Sequence, residues 1–182
     1  HKGSVGKVMA GWQMRIFNED GDECAVGEIG GIYFLPDEGT ETTFKYIGAN
    51  VSALGNWLTY GDLGYVDEDG FLYIADRRTD MIVSGGANIY PAEVEAALDQ
   101  HPDVRSSIVI GLPDPDLGNR THAIVQLAAD ARRDESADLL RAFLSEKLVL
   151  YKIPRSFEFT DQNLRDDAGK ARRSRLRDER IA

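Results

Sequence analysis

The sequence predicts an α/β fold of the mixed, α+β kind, with β-hairpins first and alternating strands and helices afterwards. Up to about residue 78, short alternating apolar runs are separated by turn-forming residues. Beyond that point, strand-like runs alternate with segments whose apolar residues have helical spacing. Such alternation is typical of a small domain with a short sheet flanked by helices. We therefore expect a β-rich part over residues 1–78 and a small α/β domain over residues 79–182.

Two hairpins are predicted in the first part. Their strands are expected at residues 12–18 and 28–35, and at residues 64–66 and 71–74. Residues 19–22 carry the Asp-Gly signal of a hairpin turn, whereas residues 36–56 are rich in Gly, Thr, Asn and Asp and are predicted to be mostly loop. The acidic turn at residues 67–70 lacks the ligand spacing and the closing Glu of a calcium loop. We therefore interpret it as a plain hairpin turn.

The second part is predicted to alternate strands with helices. Strands are expected at residues 80–84, 104–111, 121–128 and 156–160, and helices from Pro91, over 135–148 and over 170–180. Pro91 suits the first turn of a helix, because the amide that proline lacks has no partner there. Within 135–148, the apolar residues lie on one face.

Composition and charge exclude some functions. The 182-residue chain carries a net charge of −10, which argues against general nucleic-acid binding. Residues 165–180 reverse the trend, with seven basic and four acidic side chains. This segment is either a solvated amphipathic tail or a positively charged surface that attracts a polyanion such as ATP or coenzyme A. His1, His101 and His122 are scattered and lack ligand spacing, so no metal site is predicted.

Cellular context is also constrained by the sequence. A lone cysteine, Cys24, excludes an internal disulfide and fits a reducing compartment, so we expect a cytoplasmic location. No apolar run approaches the roughly 18 residues that a membrane span needs, and no secretory signal is visible. Because the sequence lacks an initiating Met, we expect a fragment or a processed chain.

Four features carry candidate chemistry. Asp62 either accepts hydrogen bonds from vicinal hydroxyls or caps a turn, and Arg77 offers a fork of donors or makes a surface salt bridge. Residues 84–88, SGGAN, form either a plain turn or a point of close approach to a ligand, since their spacing is not that of a phosphate loop. Lys170 follows a glycine and is either a mobile positive charge in a cleft or a solvated lysine.

Three stretches together carry a resemblance to a known family. They are GDLGYVDEDGFLYIAD at residues 61–76, DRRTDMIVSGGANIYPAEVE at residues 76–95 and AGKARRSRLR at residues 168–177. The sequence resembles the adenylate-forming (AMP-binding) superfamily, and in particular the carboxy-terminal part of an acyl-CoA ligase. The resemblance covers nearly the whole chain. It implies that residues 1–78 are the end of a large amino-terminal domain and that residues 79–182 are the complete small domain.

The resemblance implies roles for the candidate residues. Asp62 and Arg77 match the carboxylate and the arginine that contact the ribose of ATP or AMP. Thr79 lies at the family's hinge position, which is usually Asp or Lys. Ser84, Gly85, Gly86 and Asn88 match the loop that lines the pantetheine tunnel for coenzyme A. Lys170 matches the lysine required for adenylation, in a P-x-T-x-GK motif.

This chain departs from the family pattern beside its key residues. The usual Pro, basic residue and Thr of the lysine motif are Arg165, Asp166 and Asp167 here. Two carboxylates beside the lysine are expected to weaken its field. Tyr60 replaces the Thr of the family's TGD motif and leaves the carboxylate of Asp62 intact.

The implied reaction belongs to a longer enzyme. A small-molecule carboxylic acid and Mg·ATP give an acyl-adenylate and pyrophosphate, and the thiol of coenzyme A then displaces AMP. The phosphate loop, the motif that helps to bind Mg²⁺ and the acyl pocket are missing from this sequence, so the upstream large domain is an expected partner and the chain alone is expected to be inactive. Two alternatives stay open: a carrier-loading or luciferase-like adenylating enzyme, and a non-catalytic interaction module with no upstream catalytic sequence.

Overall fold

The chain divides between Thr79 and Asp80 into two units, His1–Thr79 and Asp80–Ala182. The computed structural model describes residues 1–38, 52–129, 131, 133–167 and 169–181. Each unit contains its own sheet, and the mixed α+β class predicted from the sequence is confirmed. None of the helices described is long and apolar enough to cross a membrane.

The first unit is built around one antiparallel sheet. Its strands are β1 (Trp12–Phe17), β2 (Gly30–Pro36), β3 (Ser52–Leu54), β4 (Trp57–Thr59), β5 (Asp62–Val66) and β6 (Leu72–Arg77). They follow the order β3-β4-β2-β5-β6, and β1 pairs with β2. The register places Ile16 opposite Ile32, and both pack with Leu72 in a small apolar core. Alternation of apolar residues therefore sets which face of this sheet is buried.

Side chains of the turn residues close the predicted hairpins. Asn18 Oδ1 accepts hydrogen bonds from the backbone N–H groups of Asp20 and Asp22. In the second hairpin, Asp67 Oδ1 accepts from the N–H groups of Asp69 and Phe71. Asp67 thus acts as a turn residue that satisfies backbone donors, as Asp and Asn commonly do.

The prediction of loop through residue 56 is wrong for its last residues. Ser52–Leu54 is strand β3 and pairs with β4 across the two-residue turn Gly55-Asn56, where Gly55 has φ +60°. Both strands are only three residues long, too short for alternation to be recognised. The Gly-Asn dipeptide was the usable signal, because glycine adopts the positive φ of a tight hairpin. The rest of the predicted loop lies largely outside the described residues.

The second unit has two small sheets and three helices. Its elements are β7 (Ile82–Ser84), β8 (Ala87–Ile89), α1 (Pro91–Leu98), β9 (Val104–Asp114), β10 (Gly118–Leu127), α2 (Arg133–Ser145), β11 (Ser156–Thr160) and α3 (Arg173–Ile181). Strands β7 and β8 form an antiparallel hairpin. In the larger sheet, β10 lies in the middle, antiparallel to β9 and parallel to β11. The helix predicted over 170–180 begins only at Arg173, so Lys170 precedes it.

The two faces of the larger sheet bury different sets of residues. On one face, Ala123 and Val125 of β10 pack with Leu98 of α1 and with Leu140 and Leu144 of α2, in the main core. The other face buries a smaller cluster, covered by residues from the last part of the chain. Its buried members are Ile108, Ile110, Leu112 and Ile124, and Leu164, Ala171 and Leu176 pack against them. Helix α3 itself contains no buried residue.

Candidate functional site

Lys170 lies in the loop between β11 and α3 and is exposed. The loop closes through its backbone: the Gly169 N–H donates to Asp166 O at 2.7 Å, and the Asp166 N–H donates to Lys170 O at 3.1 Å. Gly169 has φ +73°, a conformation that glycine adopts without strain. The result is a short loop with the lysine at its end, immediately before a basic helix.

Asp166 contacts the backbone of Lys170 and the side chain of Arg172. Its Oδ1 accepts a hydrogen bond from the backbone N–H of Lys170 at 2.9 Å, and its Oδ2 lies 3.6 Å from Arg172 Nη2. The expectation that carboxylates beside the lysine weaken its field stays a prediction. This carboxylate stabilises the backbone turn and partly balances the charge of Arg172.

Glu95 is the centre of a buried ionic cluster next to the loop. The residue is only 4% exposed. Its carboxylate accepts hydrogen bonds from Arg173 at 2.8–3.2 Å and from Arg165 Nη2 at 3.1 Å, and Oε1 also accepts from the Val109 N–H at 2.8 Å. Arg173 Nη1 donates in addition to Asp80 Oδ2 at 3.0 Å. One carboxylate thus joins α1, β9, α3 and the loop from Arg165 to Lys170, which we call the lysine loop.

Burial and neighbouring charges have opposite effects on the pKa of Glu95. Burial raises the pKa of the Glu95 carboxyl, because the charged form loses its hydration. The guanidinium groups of Arg173 and Arg165 and the N–H of Val109 act in the opposite direction. Such a carboxylate is stable in the interior only because each oxygen has donors.

The glycine segment is the tip of the β7–β8 hairpin. Gly85 and Gly86 form a two-residue turn with φ +57° and +81°, as a tight hairpin requires. Asn88 therefore lies on strand β8, and the expectation that it belongs to a loop is wrong. Ile82 and Ile89, opposite each other in the hairpin, are buried in the main core of the second unit. The base of the hairpin is thus anchored in the core, and the glycine turn lies at its other end.

A second contact ties the hairpin to the β9–β10 turn. The Gly85 N–H donates to Leu117 O at 2.9 Å, and Asn119 Nδ2 donates to Val83 O at 3.2 Å. A Cβ atom added at Gly85 would lie 3.1 Å from Leu117 Cδ2, whereas one at Gly86 would meet nothing within 4 Å. Gly86 therefore leaves the outer side of the tip open to another molecule.

Asp62 and Arg77 face each other across strands β5 and β6 of the first unit. Asp62 Oδ1 and Arg77 Nε are 3.9 Å apart, longer than a hydrogen bond. The side chain of Arg77 is 76% exposed. Both groups are therefore available to other partners. Thr79 lies exposed in the turn that follows β6 and is the last residue of the first unit.

A further polar cluster joins β10, β11 and α3. His122 is buried, with Nδ1 2.8 Å from Ser156 Oγ and Nε2 3.5 Å from Glu158 Oε2. Glu158 accepts two hydrogen bonds of 2.6 Å from Arg180. This ion pair lowers the pKa of Glu158, and burial lowers the pKa of His122. The cluster attaches the end of α3 to the sheet.

The structure brings some of the predicted site residues together and leaves others on separate elements. Asp62 pairs with Arg77, and residues 84–88 form one hairpin, while Lys170 lies in a different loop. Lys170 borders a polar groove of about 390 Å³ together with Arg172, Glu158 and Thr160. Among the described residues, no group of three or more His, Cys, Asp or Glu side chains could hold a metal ion.

Sequence reasoning missed the Glu95 cluster. Glu95 lies on the helical face that also carries Val94 and Leu98, both of them fully buried. A carboxylate on an apolar helix face was the available signal, since such a group requires a buried cationic partner. Its partners, Arg165 and Arg173, are 70 and 78 residues away in sequence, too far for any local pattern to reveal.

Comparison with known proteins identifies the second unit. Residues 93–170 match the family model described as the AMP-binding enzyme C-terminal domain. The chain is 42% identical over 176 residues to 2-succinylbenzoate–CoA ligase from Geobacillus kaustophilus, covering 96% of this chain and 35% of that protein. It is 34% identical to a fatty acid–[acyl-carrier-protein] ligase from Streptomyces coeruleorubidus, covering 96% of this chain and 34% of that one.

A solved structure agrees with these relatives. The o-succinylbenzoate CoA synthetase from Bacillus subtilis, in complex with its acyl-adenylate intermediate, superposes with a TM-score of 0.79 at 39% identity, covering 96% of this chain and 35% of that one. The chain belongs to the adenylate-forming superfamily, with an AMP-binding enzyme C-terminal domain in its second unit. It spans about a third of the length of the curated relatives that it matches.

Proposed function

We propose that the chain is the carboxy-terminal part of an ATP-dependent acyl-CoA ligase. In this proposal the first unit completes the large domain, and the second unit is the small domain that turns about Thr79. The observation that carries the proposal is Lys170, an exposed cation on a closed loop within a segment that matches the family domain. The relatives that support it are acid–CoA ligases.

Lys170 would serve the first half-reaction. Its ammonium group would pair with the substrate carboxylate and with phosphate oxygens of ATP, and would stabilise the negative charge that develops between them. Asp62 and Arg77 would hold the ribose, because an exposed carboxylate and an exposed guanidinium supply the acceptor and the donors that vicinal hydroxyls need. ATP supplies the adenylyl group, whose transfer to the carboxylate releases pyrophosphate, and Mg²⁺ would be held by residues outside this sequence.

The glycine hairpin would serve the second half-reaction. Ser84, Gly85, Gly86 and Asn88 would line the path of the pantetheine arm of coenzyme A. The absence of side chains at Gly85 and Gly86 permits close approach of a thin ligand to the backbone. Because the two half-reactions use different elements of the second unit, a change at Lys170 and a change at the hairpin should affect different steps.

The test uses the full-length enzyme with 2-succinylbenzoate, the acid named by the first relatives, and a fatty acid for comparison. We expect Lys170→Ala to lower ATP–pyrophosphate exchange by about 10²–10³-fold, the usual effect of removing one charge-stabilising group. Thioester formation from supplied acyl-adenylate should continue. The matched control is Lys147→Ala, since Lys147 is exposed on the surface beside Gln100. Unchanged exchange in Lys170→Ala would contradict the proposal.

A carrier-loading ligase is the second candidate. The fatty acid–[acyl-carrier-protein] relative, at 34% identity, favours it. The two candidates differ only in the acceptor of the acyl group, so supplying coenzyme A and a phosphopantetheinyl carrier protein in parallel distinguishes them. The isolated 182-residue chain should catalyse neither half-reaction, because it lacks the phosphate-loop motif.

A further inference from the structure

The side chain of Arg165 bridges the lysine loop to the buried carboxylate. Its Nη2 donates to Glu95 Oε2 at 3.1 Å and lies 3.4 Å from Ser107 O. Its Nη1 lies 3.5 Å from Gly169 O, the carbonyl directly before Lys170. One planar guanidinium therefore contacts both the end of the lysine loop and two groups of the core. Such a rigid fork of donors fixes relative positions better than a single flexible contact.

Glu95 provides a fixed reference for that bridge. It receives the Val109 N–H from strand β9 and the guanidinium of Arg173 from helix α3, and it is buried. A carboxylate held from three elements has little freedom to follow the loop. A displacement of the Gly169 carbonyl away from Glu95 would therefore stretch or break a contact of Arg165.

The loop also closes on itself through Asp166. The Asp166 carboxylate accepts the Lys170 N–H, and the backbone of Asp166 exchanges hydrogen bonds with Gly169 and Lys170. Arg165 stands at the start of this closed turn, and Lys170 stands at its end. The turn fixes the internal shape of the loop, whereas Arg165 fixes its position on the domain.

We propose that Arg165 is a positioning residue that holds the Lys170 loop against the buried Glu95. This proposal rests on the proposed role of Lys170 in adenylation. Arg165 stands where the lysine motif of the family has a proline, and in this chain the ion pair supplies the restraint at that position. The lysine stem remains free to reach the reacting groups, while the point from which it extends stays fixed. Positioning of this kind affects the rate of a step more than the affinity for a substrate.

The experiment compares Arg165→Met and Arg165→Lys in the full-length enzyme. Arg165→Met keeps the length of the aliphatic stem and removes the charge and all donors. We expect it to lower kcat for ATP–pyrophosphate exchange by about ten- to a hundredfold, the usual cost of a small misplacement, with KM for ATP nearly unchanged. Arg165→Lys restores one charge and should recover part of kcat. Thioester formation from supplied acyl-adenylate should not change in either variant.

Hydrogen–deuterium exchange gives a readout that does not depend on activity. In Arg165→Met, peptides that span residues 165–171 should exchange faster, whereas peptides from β9 and β10 should keep their protection. The matched control is Arg141→Met. Arg141 pairs with Asp138 and with the carbonyl of Arg155, but it belongs to α2, which packs on the opposite face of the sheet. This variant should leave residues 165–171 and the exchange activity unchanged.

The outcomes separate this inference from the function on which it rests. If Arg165→Met leaves both kcat and the exchange of residues 165–171 unchanged, the inference is overturned. Loss of protection throughout β9 and β10 also overturns it, because Arg165 then supports the whole domain and not the loop. If Lys170→Ala leaves pyrophosphate exchange intact, the proposed function fails, and the deuterium measurement still decides whether Arg165 holds the loop.

Discussion

Arg173 pairs with the buried carboxylate of Glu95 across 78 residues of sequence, with two hydrogen bonds from Arg173 Nη2 at 2.8 and 2.9 Å. Their side chains are 17% and 5% exposed. The pair links α1, which follows the glycine hairpin, to α3, which follows the lysine loop. Both segments proposed to act on ligands are thus attached to elements that share one carboxylate.

Replacing Glu95 should destabilise the chain strongly. We expect Glu95→Gln to lower the free energy of unfolding by about 3 kcal/mol, because removing one partner leaves buried charge without compensation. The loss should lie at the lower end of the range for buried pairs, since Arg173 keeps its contact with Asp80. Urea denaturation followed by circular dichroism measures it.

Glu93 offers the matched control for this change. Glu93→Gln removes a carboxylate of the same helix that pairs with Lys152 and is 41% exposed. An ion pair whose carboxylate is exposed to solvent contributes about 1 kcal/mol or less. Equal losses in the two variants would show that the buried cluster contributes no more than a surface pair.

Stability should fall on acidification through His122. Burial lowers the folded pKa of His122 below its ordinary 6.5. Between the folded pKa and 6.5, the unfolded chain therefore binds more protons, and the free energy of unfolding rises with pH. The stability gained from a neutral, buried His122 is fully present above about pH 6.5 and is lost as the pH falls towards the folded pKa. Denaturation at a series of pH values from 7.5 down to about 5 measures the slope.

The His122→Asn variant should flatten the pH dependence in this range. His101→Asn, which retains His122, should keep the slope of the wild type. At lower pH, protonation of Glu158 should add a second loss, since Arg180 lowers the pKa of that carboxyl in the folded state. A wild-type curve that is flat between 7.5 and 5 would contradict the assignment.

The two glycines of the hairpin should respond differently to substitution. Alanine at Gly85 or Gly86 should cost about 1–2 kcal/mol, because both have positive φ. Gly85→Ala should cost more than Gly86→Ala, since its Cβ would also press on Leu117. In the full-length enzyme, both should slow thioester formation and leave ATP–pyrophosphate exchange nearly unchanged.

Gly70→Ala is the control for backbone strain. Gly70 has φ +78° in the β5–β6 turn, and a Cβ there would meet nothing within 4 Å. It should lose stability to a similar degree without slowing thioester formation. A similar slowing in Gly70→Ala would mean that strain, and not the hairpin tip, causes the effect.

Sequence pattern predicted the elements whose signals are local. The hairpin at Asp67–Gly70, the helix start at Pro91 and the strand Ser156–Thr160 follow from turn residues, proline and alternation, and the structure contains all three. Strands β3, β4 and β8 were missed because each has only three residues, and their pairing depends on partners across two-residue turns. Such strands are defined by hydrogen bonds to a neighbour more than by their own pattern.

Sequence predicted single residues of the candidate site but not the contacts between them. Lys170 was found from a motif, but its support by Arg165 and Glu95 depends on contacts between distant parts of the chain. The sequence gives the charges of Arg165 and Asp166, but it does not indicate which groups they contact. Sequence alone suggested that the carboxylates weaken the field of Lys170, but it did not indicate that Asp166 accepts a backbone N–H or that Arg165 pairs with a buried acid.

The second apolar cluster of the larger sheet has a consequence for synthesis on the ribosome. Ile108, Ile110, Leu112 and Ile124 belong to β9 and β10, whereas the residues that cover them, from Leu164 to Leu176, are made much later. We expect the β9–β10 hairpin to leave the ribosome with this face uncovered until some forty further residues have been added, counting from Ile124 to Leu164. Such a nascent chain exposes aggregation-prone surface and is a natural client for chaperones that act during translation.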